Sequence, residues 1–174
     1  MVFSHPADYT PVCTTELARM AQLYKELEKR NVKAICISVD SVQDHEGWVG
    51  DIKKVSGCQV PFPLVGDENG DISGKIGLLE AGVDKRITVR GVFVVSPEKK
   101  VRAVICYPTS TGRNMDEIIR LIDSLQLTTL RPDIVTPVDW KVGDDLIVKP
   151  GATVEGSTTV EVPSGKDYLR YVKP

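Results

Sequence analysis

The chain has 174 residues, 41% hydrophobic and 26% charged, with 22 basic side chains against 24 acidic ones. A domain of this size buries roughly 70% of the surface its unfolded form exposes, so its core needs no disulfide or structural metal, which excludes a disulfide-stapled miniprotein. A net charge of −2 gives no positive field for phosphate backbones or anionic lipid, and no apolar run approaches the roughly 20 residues that span a bilayer; neither nucleic acid nor a membrane is an expected partner.

Residues 2–4 read as the end of a strand. Over 11–30, Leu17, Met20, Ala21, Tyr24 and Leu27 recur at helical spacing, which predicts an amphipathic helix with Thr10 at the N-cap and Pro11 in the first position. Residues 32–39 are apolar and β-branched and predict a buried parallel strand, followed by a helix over 42–55. Pro61 and Pro63 punctuate a loop around a short strand of Phe62, Leu64 and Val65, and the turn over 67–70 opens another short helix. Two strands, 87–95 and 101–107, flank a connection short enough for a hairpin. A last helix begins at Asn114, with Glu117 completing a capping-box-like pair, and turns Ile118, Ile119, Leu121, Ile122 and Leu125 to the core.

The order β-α-β-α-β-α-β-β-α predicts a mixed sheet with helices on both faces, the arrangement of thioredoxin-like domains, over residues 1–130. After Leu130, Pro132, Pro137, Pro150 and Pro163 and the glycines from Gly143 to Gly165 predict a small β-rich C-terminal domain over 131–174.

Cys13, Cys36, Cys58 and Cys106 form no C-x-x-C pair and show no zinc-ligand spacing, so no metal or cofactor is expected, and unpaired thiols suit the reducing cytoplasm. Cys13 falls in the first turn of a helix, where the backbone dipole and free amides favour thiolate over thiol; such settings and neighbouring cations bring cysteines from about 8.5 to roughly 3.5–7.5. Cys13 is therefore the candidate nucleophile, against the plainer reading of a small buried apolar residue. Cys36 and Cys106, each inside an apolar strand, take that plainer reading; Cys58, in a polar loop, stays open. Arg90 is a charge within an apolar strand, which calls for a partner or a solvated edge. His5 invites a cysteine-histidine hydrolase reading, disfavoured because an ionised thiol needs no general base. His45 is expected on a helix surface.

Residues 6–13 fit P-x-x-x-T-x-x-C, and here the sequence resembles the peroxiredoxins. Residues 3–17, 38–41, 107–114, 136–140 and 163–171 resemble the one-cysteine subgroup, so the likeness covers essentially the whole chain. It implies a thiol-dependent peroxidase for hydrogen peroxide and organic hydroperoxides, with Cys13 the nucleophile and Thr10 and Arg90 binding peroxide. It also implies Glu16 as a carboxylate orienting the arginine, Arg113 as a second arginine near the pocket, and Pro6 and His5 around it. The alternatives are a simple N-cap for Thr10 and surface charges for Glu16 and Arg113.

The attacking thiolate becomes a sulfenic acid that must meet another thiol before further oxidation. No cysteine follows Cys106, so an external thiol, glutathione or the thioredoxin system, is the expected reductant, with Cys58 a hypothetical occasional resolver. The resemblance also implies a homodimer, and about thirty residues ahead of the first strand that this sequence lacks; a mitochondrial address would belong to such a segment. Competing readings are a weakly catalytic peroxiredoxin acting as a chaperone or redox-signalling partner, and a thioredoxin-like disulfide exchanger, which lacks its second cysteine.

Overall fold

A computed structural model describes residues 1–82 and 86–174. The chain forms two compact units, Met1–Met115 and Asp116–Pro174, so that the last long helix falls with the second unit whereas the composition changes only after Leu130. In the first unit the order is β1 (Val2–Ser4), α1 (Pro11–Lys29), β2 (Ile35–Ser38), α2 (Val42–Ser56), β3 (Leu64–Gly66), α3 (Asp71–Lys75), β4 (Arg90–Val95) and β5 (Val101–Tyr107). The five strands form one sheet ordered β3-β2-β1-β4-β5. β1 is parallel to β2 and antiparallel to β4, with Phe3 opposite both Cys36 and Val92. The sheet is therefore mixed, and the thioredoxin-like architecture is the one the element order implies.

β1 lies at the centre, which is why Phe3 is fully buried and its ring meets Phe62 edge-on at 5.3 Å. Local signals set the helix ends. α2 starts with a reciprocal capping box between Ser41 and Asp44 and stops at Gly57, whose φ of 75° suits glycine. α1 is followed by Asn31 at φ 54°, in the left-handed region where asparagine is tolerated. Gly66 is needed for space: a Cβ there would stand 3.0 Å from the Asp40 carbonyl oxygen and the Val42 nitrogen, both backbone. Gly66→Ala is expected to cost about 1–3 kcal/mol through this overpacking. Thermal unfolding would show it as a clear fall in Tm, and an unchanged Tm would mean that the β2–α2 turn yields freely.

Two sequence expectations are shortened by the structure. The strand expected over 32–39 is limited to Ile35–Ser38, because β3 and β1 offer partners only there. The strand expected from 87 begins at Arg90, since the preceding segment is tied down by hydroxyls: Thr88 Oγ1 donates to the His5 carbonyl at 2.6 Å and Ser4 Oγ to the Val89 carbonyl at 2.6 Å. Cys106 corrects a further reading. It lies on the exposed face of the edge strand β5 with Arg102 and Val104, not in the core.

The second unit holds α4 (Met115–Leu130, whose first residue belongs to the first unit), β6 (Ile134–Val135), β7 (Leu146–Val148), β8 (Thr158–Thr159) and β9 (Arg170–Val172). The strands form an antiparallel sheet ordered β6-β7-β9-β8 over a core of Ile134, Trp140, Leu146, Val148 and Val172. On α4, Ile118 and Ile122 are buried, while Ile119, Leu121 and Leu125 are half-buried. No helix among the described residues is long and apolar enough to cross a membrane.

Candidate active site

The loop over 5–10 carries the chain from the end of the central strand into α1, and Cys13 follows in the first turn with no exposed surface. Arg90, the first residue of β4, reaches it from the neighbouring strand. Its Nη1 donates to Cys13 Sγ at 3.4 Å and to Glu16 Oε2 at 2.9 Å. Nε and Nη2 both donate to the Thr109 carbonyl, at 3.0 and 2.6 Å, which fixes the guanidinium plane.

Glu16 is buried one turn after Cys13, and Arg113 grips it. Arg113 Nε donates to Oε1 at 3.0 Å, Nη2 to Oε2 at 2.8 Å, and its backbone N–H to Oε1 at 2.7 Å. Burial alone would raise the Glu16 carboxyl; the hydrogen bonds and charge of Arg113, joined by the charge of Arg90, outweigh it and hold Glu16 below the ordinary carboxylate range. Arg113 also donates to the Gly91 carbonyl at 2.9 Å and stands over the Phe3 ring at 5.6 Å. Neither Glu16 nor Arg113 is the surface charge it could have been. Two guanidiniums share one carboxylate, so the cluster has one uncompensated positive charge, and Cys13 is a group it faces.

Thr10 occupies the N-cap with extended backbone, but its hydroxyl makes no capping bond. It donates instead to the Ala7 carbonyl at 2.8 Å, leaving its lone pairs to accept from a ligand's O–H. Pro6 is buried within the same loop. His5 is fully buried and bonds Cys36 Sγ through Nδ1 at 3.1 Å and Asp8 Oδ1 through Nε2 at 2.6 Å. Cys36 is buried as expected, and burial pushes its thiol well up, so it is the S–H that donates to His5 Nδ1. Cys58 is half-buried just beyond α2.

His45 is a correction: on α2 it is buried beside Trp48 and Ile52, not on the helix surface, and its Nδ1 meets Asp8 Oδ2 at 2.6 Å. Asp8 thereby joins two imidazoles. His5, Asp8 and His45 each place one ligand-type atom within 4.8 Å of the others, but both Asp8 oxygens are already engaged by imidazole nitrogens, so hydrogen bonds account for the cluster.

The two histidines are shifted in opposite directions. Burial pushes His5 down, and the Asp8 bond with the Asp8 and Asp40 charges does not restore it. Burial acts against His45 too, but the bond to Asp8 and its charge, with the Val65 carbonyl and Asp40 adding, hold it above the ordinary value; Nε2 faces Val65 without an aligned hydrogen bond. Between the depressed His5 value and 6.5 the unfolded chain binds more protons, so stability rises with pH. Between 6.5 and the elevated His45 value the folded chain binds more, so stability falls. The Met1 amino group, lowered by burial, adds a contribution that rises with pH up to 8.0 in any variant, so the His45 shift is read from the urea-midpoint difference between wild type and His45→Asn, which should shrink as pH rises above 6.5. A difference that stays constant from pH 6.5 to 8 would contradict the His45 shift.

The structure thus brings Cys13, Thr10, Arg90, Glu16 and Arg113 to the start of α1, with Pro6 and His5 in the adjoining loop. Sequence reasoning missed the Thr109 carbonyl, Asp8 and His45. A buried sulfur at a helix start, under a guanidinium fixed by a buried carboxylate, is the centre of this cluster in a thioredoxin-like unit.

The sequence pattern of the AhpC/TSA family matches residues 1–104. The chain is 47% identical to rat (Rattus norvegicus) peroxiredoxin-6, over 98% of this chain and 83% of that protein, and 45% identical to the 1-Cys peroxiredoxin of Dirofilaria immitis, over 99% and 83%. Among solved structures, a cysteine-to-serine variant of the peroxiredoxin 6 of Arenicola marina superposes with a TM-score of 0.93 at 43% identity, covering 99% of this chain and 84% of that one. The yeast mitochondrial 1-Cys peroxiredoxin, described with a thiol-resolving mechanism through glutathione and thioredoxin systems, gives 0.86 at 39% identity, covering 99% and 85%. The chain belongs to the AhpC/TSA family and is a peroxiredoxin, a thiol peroxidase; two of these relatives are named as one-cysteine peroxiredoxins.

Proposed function

We propose that Cys13 is the peroxide-reducing cysteine and that an external thiol completes the cycle. The observation that carries this reading is the Arg90 Nη1, which bonds Cys13 Sγ and Glu16 Oε2 together and so aims a fixed positive charge at the sulfur. As its thiolate, Cys13 attacks the nearer oxygen of a hydroperoxide. The S–O bond forms as the O–O bond breaks, and the departing hydroxide or alkoxide takes a proton to leave as water or alcohol. Arg90 stabilises the negative charge spreading over both oxygens, while the Thr10 lone pairs accept from the peroxide O–H and hold it in line. A glutathione- or thioredoxin-type thiol then attacks the sulfenic sulfur, releasing water and leaving a mixed disulfide, and a second thiol takes the disulfide away and restores the Cys13 thiol.

Peroxide consumption with glutathione or thioredoxin as electron donor tests the cycle: the wild-type chain turns over and Cys13→Ser does not. Intact mass after one equivalent of peroxide should show no intramolecular disulfide; a Cys13–Cys58 disulfide would overturn external resolution. Exposed Val101 and Val104 on the sheet-edge strand β5 favour a homodimer built by pairing this edge, and four free cysteines suit the cytoplasm. Sedimentation should give a dimer that Val104→Lys weakens.

A further inference from the structure

We propose that His45 is a positioning residue for peroxide reduction, acting through Asp8 to hold the loop over 5–10, and with it the Thr10 hydroxyl, in register with Cys13. The inference rests on Cys13 being the peroxide-reducing sulfur. It begins from the way α2 grips the two sides of the site. Upstream of Thr10, His45 Nδ1 meets Asp8 Oδ2 at 2.6 Å. Downstream of Cys13, Trp48 Nε1, one turn further along the same helix, donates to Thr14 Oγ1 at 3.2 Å. Thr10 and Cys13 lie between these two attachments.

The upstream attachment reaches Thr10 through few bonds. The Thr10 hydroxyl is oriented by donating to the Ala7 carbonyl, and Ala7 sits between buried Pro6 and Asp8. Asp8 is held at three points: Oδ1 by His5, Oδ2 by His45, and its backbone N–H donates to Asp40 Oδ2 at 3.0 Å. Asp40 in turn accepts from Ser38 Oγ at 2.6 Å. The backbone of His5 is fixed by Thr88 and by Ile37 of β2, and its ring lies 5.1 Å from that of Trp48 on α2. His45 supplies the hydrogen bond by which α2 holds Asp8 directly. The next residue, Tyr9, has a left-handed φ of 54°, a conformation a tyrosine keeps only when the flanking residues are held. Losing the His45 bond frees the Asp8 side chain to turn, moves the Ala7 carbonyl and misaims Thr10, whereas Arg90, Glu16 and the sulfur are anchored from β4 and the 109–113 segment and stay in place.

That division supplies the test. An alkylating agent needs only the sulfur, whereas a peroxide also needs Thr10. The second-order rate constant for hydrogen peroxide is measured in single turnover on the full chain, and the iodoacetamide rate at Cys13 is followed by peptide mass at the same pH. His45→Leu and the isosteric Asp8→Asn should lose at least about tenfold in the peroxide rate while alkylation stays within about twofold of wild type. His45→Asn, whose amide nitrogen reaches the place of Nδ1 and still donates to Asp8, should remain within about threefold on both. Equal loss of both rates would assign His45 a purely structural role and overturn the proposal, as would an unchanged peroxide rate in His45→Leu or an Asn variant as slow as Leu. Should His45→Leu fail to fold, Asp8→Asn against His45→Asn makes the same comparison. Peroxide consumption surviving in Cys13→Ser would remove the premise, an outcome separate from all of these.

Discussion

Arg90→Met lowers the second-order rate constant for hydrogen peroxide by about 10²–10³-fold, the expected effect of removing a fixed charge from a developing negative centre in a water-poor site. Methionine keeps an unbranched apolar stem but loses the donors to Cys13, Glu16 and Thr109 together. Glu16 keeps Arg113, so the fold survives and the loss falls on chemistry. Arg90→Lys is expected to recover only part of it, because an ammonium cannot present the planar fork that spans the Thr109 carbonyl and the sulfur. Stopped-flow kinetics decides the matter, and a rate for Arg90→Met within about threefold of wild type would detach the guanidinium from the reaction.

Glu16→Ala has the largest expected effect on stability. The side chain is buried between two guanidiniums, and removing it leaves two positive charges in the interior with no carboxylate between them. Breaking a buried ion pair from one side costs about 3–5 kcal/mol, because the partner's desolvation stays uncompensated. Urea unfolding should show a loss of that order, and Glu16→Gln, which keeps the shape and half of the acceptors, should fall between. The wild-type contribution has a defined pH dependence. With the Glu16 carboxyl held below its ordinary 4.5, the unfolded chain takes up protons first, so this stability is complete above that value and is lost as pH falls through the depressed one. A loss below about 1 kcal/mol for Glu16→Ala would mean that water enters and screens the arginines.

Local patterns made much of this site legible. Pro11 and Thr10 mark a helix start whatever surrounds them, which places Cys13 in the first turn, while a lone arginine in an apolar strand left Arg90 open between a partner and a solvated edge, and the structure gives it the buried partner Glu16. What stayed hidden depends on pairs far apart in the chain. Nothing near Asp8 points to His45, 37 residues on, and the Thr109 carbonyl that fixes Arg90 is backbone and has no signature at all. A weaker signal was available: His45, Trp48 and Ile52 are spaced three and four apart on α2, the stripe of a buried face, and reading it would have moved His45 inward. Cys106 was misplaced for a similar reason. In β5 the alternation groups it with Arg102 and Val104, and the arginine marks that face as the outer one. Strand limits at Ile35 and Arg90 were beyond sequence reach because partner strands and the Ser4 and Thr88 hydroxyls set them.

The most direct measurement treats the reduced protein with one equivalent of hydrogen peroxide in the presence of dimedone and locates the adduct by peptide mass. The sulfenic acid belongs on Cys13, with Cys36, Cys58 and Cys106 unlabelled. An adduct on the exposed Cys106 or on Cys58, with Cys13 still reduced, would contradict the assignment of peroxide chemistry to the sulfur beneath Arg90.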